Sequence, residues 1–237
     1  MKDGYEMLGV IGGMGPKATS LFYDMVIDHT VAGCDQEHIN MVILSFADFP
    51  DRTEAIKTGE TEEMIEAFKH SAMGLRQMGC ANIAIPCNTA HYYIDEIQKA
   101  CEIPVINMVK EAVAEAVKRG AKTIGIMATE GTIQAGIYSA ECERQGAKAV
   151  NPGKARQADV TSLIYDDVKS GRSGDPAKFQ RTIEELTDRG CDAVILACTE
   201  LSVYKEEFGM PKFCIDAMDV LVRESIIRSG ASYKEYK

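Results

Sequence analysis

The sequence has no Cys-x-x-Cys, no glycine loop closed by Lys-Ser or Lys-Thr, no Pro/Gly/Ser-rich linker, and no apolar run near the roughly 20 residues that span a bilayer. Each absence removes a class of protein. Zinc ribbons and thioredoxin-like redox proteins lose their cysteine spacing. A Walker phosphate loop loses its lysine. Residues Met1 to Glu6 also lack the apolar core of a signal peptide, so a cytoplasmic setting is expected, with no membrane partner. An excess of basic charge is missing too. With 26 Lys and Arg against 36 Asp and Glu, the net charge of −10 gives no electrostatic reason to bind nucleic acid. An anionic ligand would need a local cluster of Arg or Lys.

Cysteine, in contrast, is plentiful. Eight in an unsecreted chain read as free thiols rather than disulfides. Cys80 and Cys87 cannot share a metal if they flank a strand, which would separate them by about 23 Å. No metal site is expected, and most cysteines read as core filler. Cys87 and Cys198 stand apart. Gly79-Cys80 and Gly190-Cys191 each open a short apolar run that ends in a second cysteine. Pro86-Cys87-Asn88-Thr89-Ala90-His91 follows the first run and Cys198-Thr199-Glu200 the second. Each reads as a strand that delivers a cysteine to a helix start. Open α/β sheets bind ligands at that edge, and a thiol there is most easily made a thiolate.

The same alternation runs through the whole chain. Strands are expected at Met7–Gly13, Met41–Phe46, the run before Cys87 and Ile103–Asn107. They are expected again at Lys122–Ala128, Ala147–Val150, the run before Cys198 and Met210–Asp216. Helical apolar spacing lies between them, as at Ala18–Thr30, Thr61–Met78, Ala90–Ala100, Asp159–Lys169 and Pro176–Arg189. Gly9 pairs with Gly125, Cys87 with Cys198 and Pro104 with Pro211, at offsets of 116, 111 and 107 residues. Two similar β/α halves are therefore expected, with parallel sheets. The expected division is 1–106 plus 216–237 for an N-terminal domain and 107–215 for a C-terminal one. If a pseudo-two-fold relates them, both cysteine strands face one interdomain cleft. Gly12-Gly13-Met14-Gly15 matches no nucleotide fingerprint. It reads equally as a tight turn or as amides that hold a carboxylate.

Taken together, Gly12-Gly13-Met14-Gly15-Pro16, Asp35-Gln36-Glu37-His38, Pro50-Asp51-Arg52-Thr53, Pro86 to His91 and Cys198-Thr199-Glu200 resemble the aspartate/glutamate racemase family, most strongly its aspartate racemase branch. The likeness covers essentially the whole chain. It implies two flavodoxin-like domains, an amino-acid substrate, no cofactor and usually a homodimer. Cell-wall glutamate racemases are similar in plan but carry an acidic residue after the first strand and Cys-Thr-His at the second thiol. Here Glu200 stands in place of that histidine, which disfavours the cell-wall role.

Racemisation removes the Cα proton and returns one on the opposite face, so it needs a base and an acid across a flat carbanion. Cys87 and Cys198 are expected in these roles, exchanging them between enantiomers. Helix starts at Asn88 and Thr199 would lower both thiol pKa values. Asn88, Thr89, Thr199 and the Thr129–Thr132 turn are the expected donors to the α-carboxylate. The resemblance points to Arg52 and Lys169 for the distal carboxylate. Met14 is expected to line the pocket. Glu200 reads as a partner of the substrate ammonium, a tuner of the thiol, or a first-turn helix carboxylate. His91 reads as an orienting group or a packing group, and Glu130 as a charge-selecting or outward carboxylate. Competing readings are a diacid isomerase, decarboxylase or hydantoin racemase on the same scaffold, a non-catalytic amino-acid binder, and a redox thiol pair.

Overall fold

The computed structural model describes residues 4–235, so residues 1–3 and 236–237 of the expected N-terminal domain lie outside it. Leu-Gly-Val-Ile-Gly forms β1 (Leu8–Gly12), buried at every position, as a parallel strand covered on both faces must be. The first half continues through α1 (Pro16–His29), β2 (Met41–Ser45), α2 (Arg52–Thr58), α3 (Glu62–Gln77), β3 (Asn82–Ala84) and α4 (Ile94–Ala100). The second half begins with α5 (Met108–Lys118), β4 (Thr123–Ala128), α6 (Glu130–Ala135), α7 (Ile137–Arg144) and β5 (Lys148–Val150). It ends with α8 (Lys154–Ser162), α9 (Pro176–Asp188), β6 (Ala193–Ala197), α10 (Thr199–Phe208), β7 (Cys214–Asp216) and α11 (Ala217–Arg228).

Both sheets are parallel. Their strand orders are β2-β1-β3 and β5-β4-β6-β7. A single bridge from Ile83 to Val105 puts a fourth chain segment where β7 lies in the second sheet. The internal repeat is therefore visible in the topology. It is visible in packing as well. A Cβ on Gly9 would meet Leu75 at 3.0 Å, and one on Gly125 would meet Leu186 at 3.0 Å. In each half a helix leucine presses on the glycine of the central strand.

The expected strand at Ile103–Asn107 is the main departure. It shrinks to that one bridge, held by Ile83 N–H to Pro104 O at 2.9 Å and Ile106 N–H to Ile83 O at 2.8 Å. Pro104 has no N–H to give a ladder, and Asn107 already caps α5 by accepting from Lys110 N–H at 3.0 Å. The expected helix at Ala90–Ala100 is split into a 3₁₀ turn (Thr89–Tyr93) and α4. The expected helix at Asp159–Lys169 starts earlier, at Lys154, and widens into a π turn over Leu163–Val168.

Between the sheets lies one shared apolar layer, in which Phe22, Ile124, Ile195 and Leu221 belong to the same buried cluster. Helix α11 packs against both α1 and α5 there. Two outer clusters cover the far faces, one around Phe68 and Ile83 and one around Phe179 and Leu196. No helix among the described residues is long and apolar enough to cross a membrane.

All eight cysteines are free thiols, seven of them buried. Burial pushes the Cys142 thiol up to about 11 and the Cys214 thiol up to about 12. Unfolded thiols ionise near 8.5. The folded chain therefore keeps protons that the unfolded chain has lost, and stability falls as pH rises from about 8.5 towards 11–12. The expected loss is at most about 1.4 kcal/mol per pH unit for each thiol. Urea midpoints measured from pH 8 to 10.5 check this: a flat profile contradicts it.

Candidate active site

β3 does not reach Cys87. It stops at Ala84, and Pro86 carries the chain into a tight turn closed by Cys87 N–H to Ile85 O at 2.7 Å. Cys198, by comparison, leaves β6 directly and is the N-cap residue of α10. The two equivalent strands thus present their thiols through different backbone. Both thiols nonetheless line one cavity, at 7% and 6% exposure.

That cavity lies where the halves meet. Cys87, Asn88 and Thr89 form its wall from the first half, with Met14 from the β1–α1 turn and Asp51, Arg52 and Thr53 from the start of α2. Thr129, Tyr165, Lys169, Cys198, Thr199 and Glu200 close it from the second. Its water-accessible volume is about 20 Å³, close to that of a single water. Admitting an amino acid requires the walls to part. Thr132 stays behind the wall, where its hydroxyl meets that of Thr89 at 2.7 Å. Thr129 Oγ1 joins them at 3.3 and 3.1 Å and also caps α6 by accepting from Thr132 N–H. These three hydroxyls join the two halves beside Cys87.

Two buried donors in this wall have no partner, Arg52 Nε and Asn88 Nδ2. Arg52 donates from Nη1 to the main-chain oxygens of Pro50 at 2.9 Å and Phe49 at 3.5 Å, and meets no carboxylate among the described residues. Asn88 is fixed from the other half, since its Oδ1 accepts from Tyr138 O–H at 2.5 Å. Burial, then the nearby Cys142, Asp216 and Cys198, hold the Tyr138 phenol well above its ordinary range, so it remains a donor. The Asn88 amide therefore turns donors, not an acceptor, to the site. Unpartnered cationic and amide donors beside a cavity are what a carboxylate ligand satisfies.

Lys169 ends the π turn. Its Nζ lies 3.9 Å from Glu200 Oε1 and 4.5 Å from the centre of the Tyr165 ring. Burial works against its charge, but Glu200 and then Cys198 more than offset it, and its pKa is raised. Glu200 also accepts the Cys198 thiol proton, Sγ to Oε2 being 2.9 Å. The expectation that a helix start lowers both thiol pKa values fails at Cys198. Burial first, and the Glu200 carboxylate second, push that thiol well above its ordinary range. A short-range charge in a dry site outweighs a helix dipole.

His91 is outside the cavity lining and spends both ring nitrogens on main-chain atoms. Met108 N–H donates to Nε2 at 3.1 Å, so the ring proton is on Nδ1, which donates to Cys87 O at 2.9 Å. Burial lowers its pKa and keeps it neutral. Glu130 points outward to Lys57 at 3.3 Å. Sequence reasoning missed Asp51, Thr53, Tyr138 and Tyr165. Tyr165 had a signal, four residues before Lys169, one helical turn away. Tyr138 had none, because its contact crosses 50 residues.

Fold and site define a two-sheet parallel α/β protein whose halves meet around a pair of thiols. The chain belongs to the Asp/Glu/hydantoin racemase family, whose profile matches residues 11–225. The broad specificity amino-acid racemase RacX of Bacillus subtilis (strain 168) is 31% identical over 224 residues, 93% of this chain and 96% of that protein. Picrophilus torridus aspartate racemase has a TM-score of 0.81 at 29% identity, over 97% of this chain and 96% of that one. Glutamate racemase from Francisella tularensis subsp. tularensis SCHU S4, in complex with D-glutamate, shares the fold at TM-score 0.65 and 19% identity, over 94% of this chain and 80% of that one.

Proposed function

We propose that the chain interconverts L- and D-aspartate, or glutamate, without a cofactor, by acid–base chemistry at Cys87 and Cys198. The observation that carries this reading is the single cavity that holds both thiols together with the unpartnered donors of Arg52 and Asn88. One thiolate takes the Cα proton while the opposite thiol delivers one to the other face. Charge then grows on the α-carboxylate, and fixed donors lower the barrier most where charge develops. Asn88, Thr89, Thr129 and Thr199 serve that carboxylate, with Thr132 holding the Thr89 hydroxyl in place. Arg52 takes the side-chain carboxylate as a planar, two-pronged donor. Met14 and Tyr165 limit the space available.

The same reading divides the chain at Asn107 and Asp216. Both residues open a helix by capping it, Asn107 on α5 and Asp216 on α11. Dimerisation comes with it through the resemblance, and a cytoplasmic setting through the lack of a signal-peptide core in Met1 to Glu6. The similarity to a broad specificity racemase favours a wider substrate range as a second reading. Incubation in D₂O with a panel of L- and D-amino acids decides among these. Loss of the α-hydrogen from both enantiomers of aspartate or glutamate, without added cofactor, is expected. Exchange in neutral amino acids at equal rates favours the wider range. No exchange in any amino acid refutes the proposal.

A further inference from the structure

We infer that Glu200 is a positioning residue that holds the resting proton on Cys198, so that the free enzyme rests with Cys198 as the acid and Cys87 as the base. This rests on the two-thiol reading above and deepens it. Glu200 is 7% exposed and its two oxygens are divided between two tasks. Oε2 accepts from the Cys198 thiol at 2.9 Å, and Oε1 faces Lys169 Nζ at 3.9 Å. Both neighbours are donors, so the carboxylate accepts from the thiol on one side and faces the ammonium on the other. A thiolate on Cys198 would set two negative charges side by side in a site with almost no water. Cys87 has no such neighbour: no acidic side chain is hydrogen-bonded to its sulfur among the described residues.

The proton balance follows. The Cys87 thiolate takes the Cα proton of one enantiomer and becomes a thiol. Cys198 gives its thiol proton to the opposite face and becomes a thiolate beside Glu200. Recovery of the resting form moves one proton from Cys87 to Cys198 through solvent. The other enantiomer must instead capture the minor form, with the thiolate on Cys198. Its KM is therefore the higher of the two, while kcat/KM stays equal because enantiomers have equal free energy.

The test is site-resolved alkylation of the ligand-free full chain with iodoacetamide at pH 8, read by mass spectrometry. Thiolates, not thiols, react. In wild type Cys87 reacts well ahead of Cys198. In E200Q the Cys198 rate rises about tenfold or more, the effect of one pKa unit on the thiolate fraction, while Cys87 is unchanged. E200D, which keeps the charge, restores slow Cys198 alkylation. An unchanged Cys198 rate in E200Q overturns the inference. So does an equal rise at both cysteines, which reports a loosened cavity rather than a lost carboxylate. In racemisation assays the KM values of the two enantiomers converge in E200Q. If no amino acid is racemised, the proposed function fails, but the alkylation result still decides the role of Glu200.

Discussion

Replacing either cysteine by serine is expected to lower racemisation by about 10²–10⁴-fold, the range that a positioned acid or base supplies. Serine keeps the shape and loses the acidity, so a fall reports chemistry rather than packing. Hydrogen exchange with solvent then separates the two roles. In Cys198→Ser the Cys87 thiolate still removes a proton from the enantiomer facing it and returns solvent hydrogen to the same face. That enantiomer exchanges without inverting, and its mirror image does not exchange. Cys87→Ser shows the opposite preference, more weakly if Glu200 holds the Cys198 proton. Chiral chromatography with deuterium analysis measures both quantities. Near-wild-type racemisation in either variant removes the two-thiol account.

Gly13→Ala is expected to cost the most stability of any glycine-to-alanine change among the described residues. Gly13 has φ +93°, and a Cβ there would stand 2.1 Å from the main-chain oxygen of Phe46. Left-handed backbone on a non-glycine residue costs about 1–3 kcal/mol, and an overpacked contact adds a similar amount. The neighbour is main chain, one residue past the end of β2, which cannot swing away as a flexible side chain can. The sum is a loss of about 2–6 kcal/mol, at about 2–4 °C in Tm per kcal/mol for a chain of this size. Gly59→Ala is the comparison. Its φ is +79°, but a Cβ meets nothing within 4 Å, so only the strain remains. Thermal unfolding of the two variants side by side is the measurement. Equal losses mean that the contact with Phe46 contributes nothing. The damage from Gly13→Ala should also reach activity, because Met14, the next residue, is part of the cavity wall.

These two glycines show what kind of information the sequence carries. Gly12-Gly13-Met14-Gly15 left a tight turn and a ligand cradle equally open. The backbone at Gly13 settles the need for a turn, while the cavity contains Met14 rather than a ring of glycine amides. Strand positions were mostly legible, because a buried parallel strand is a continuous apolar run and β1, β4 and β6 are such runs. The segment at Ile103–Asn107 looks the same by composition. It shortens to the one bridge between Ile83 and Val105, where Pro104 lacks an N–H for the ladder. Apolar content does not register a missing donor.

The site divides in the same way. Cys87 and Cys198 are found by their repeat, since each ends an apolar run that starts with Gly-Cys. Tyr138 is not found, because nothing around it marks the hydrogen bond to Asn88. His91 and Glu200 were named from position but not from role. His91 spends both ring nitrogens on main-chain atoms, while Glu200 reaches a thiol and a lysine.

Strand periodicity and an internal repeat are local properties of the chain, so the two parallel β/α halves and the paired cysteines are legible in the amino-acid order, while Arg52 comes in through the family resemblance. What those groups do to one another is set by folding. Closure of the halves removes water from a cavity of about 20 Å³, leaves Arg52 and Asn88 with unspent donors, and sets a carboxylate 2.9 Å from one thiol alone. Desolvation and short-range charge depend on distance through space, and Cys87 and Cys198, 111 positions apart in the chain, come to line one dry cavity only on folding.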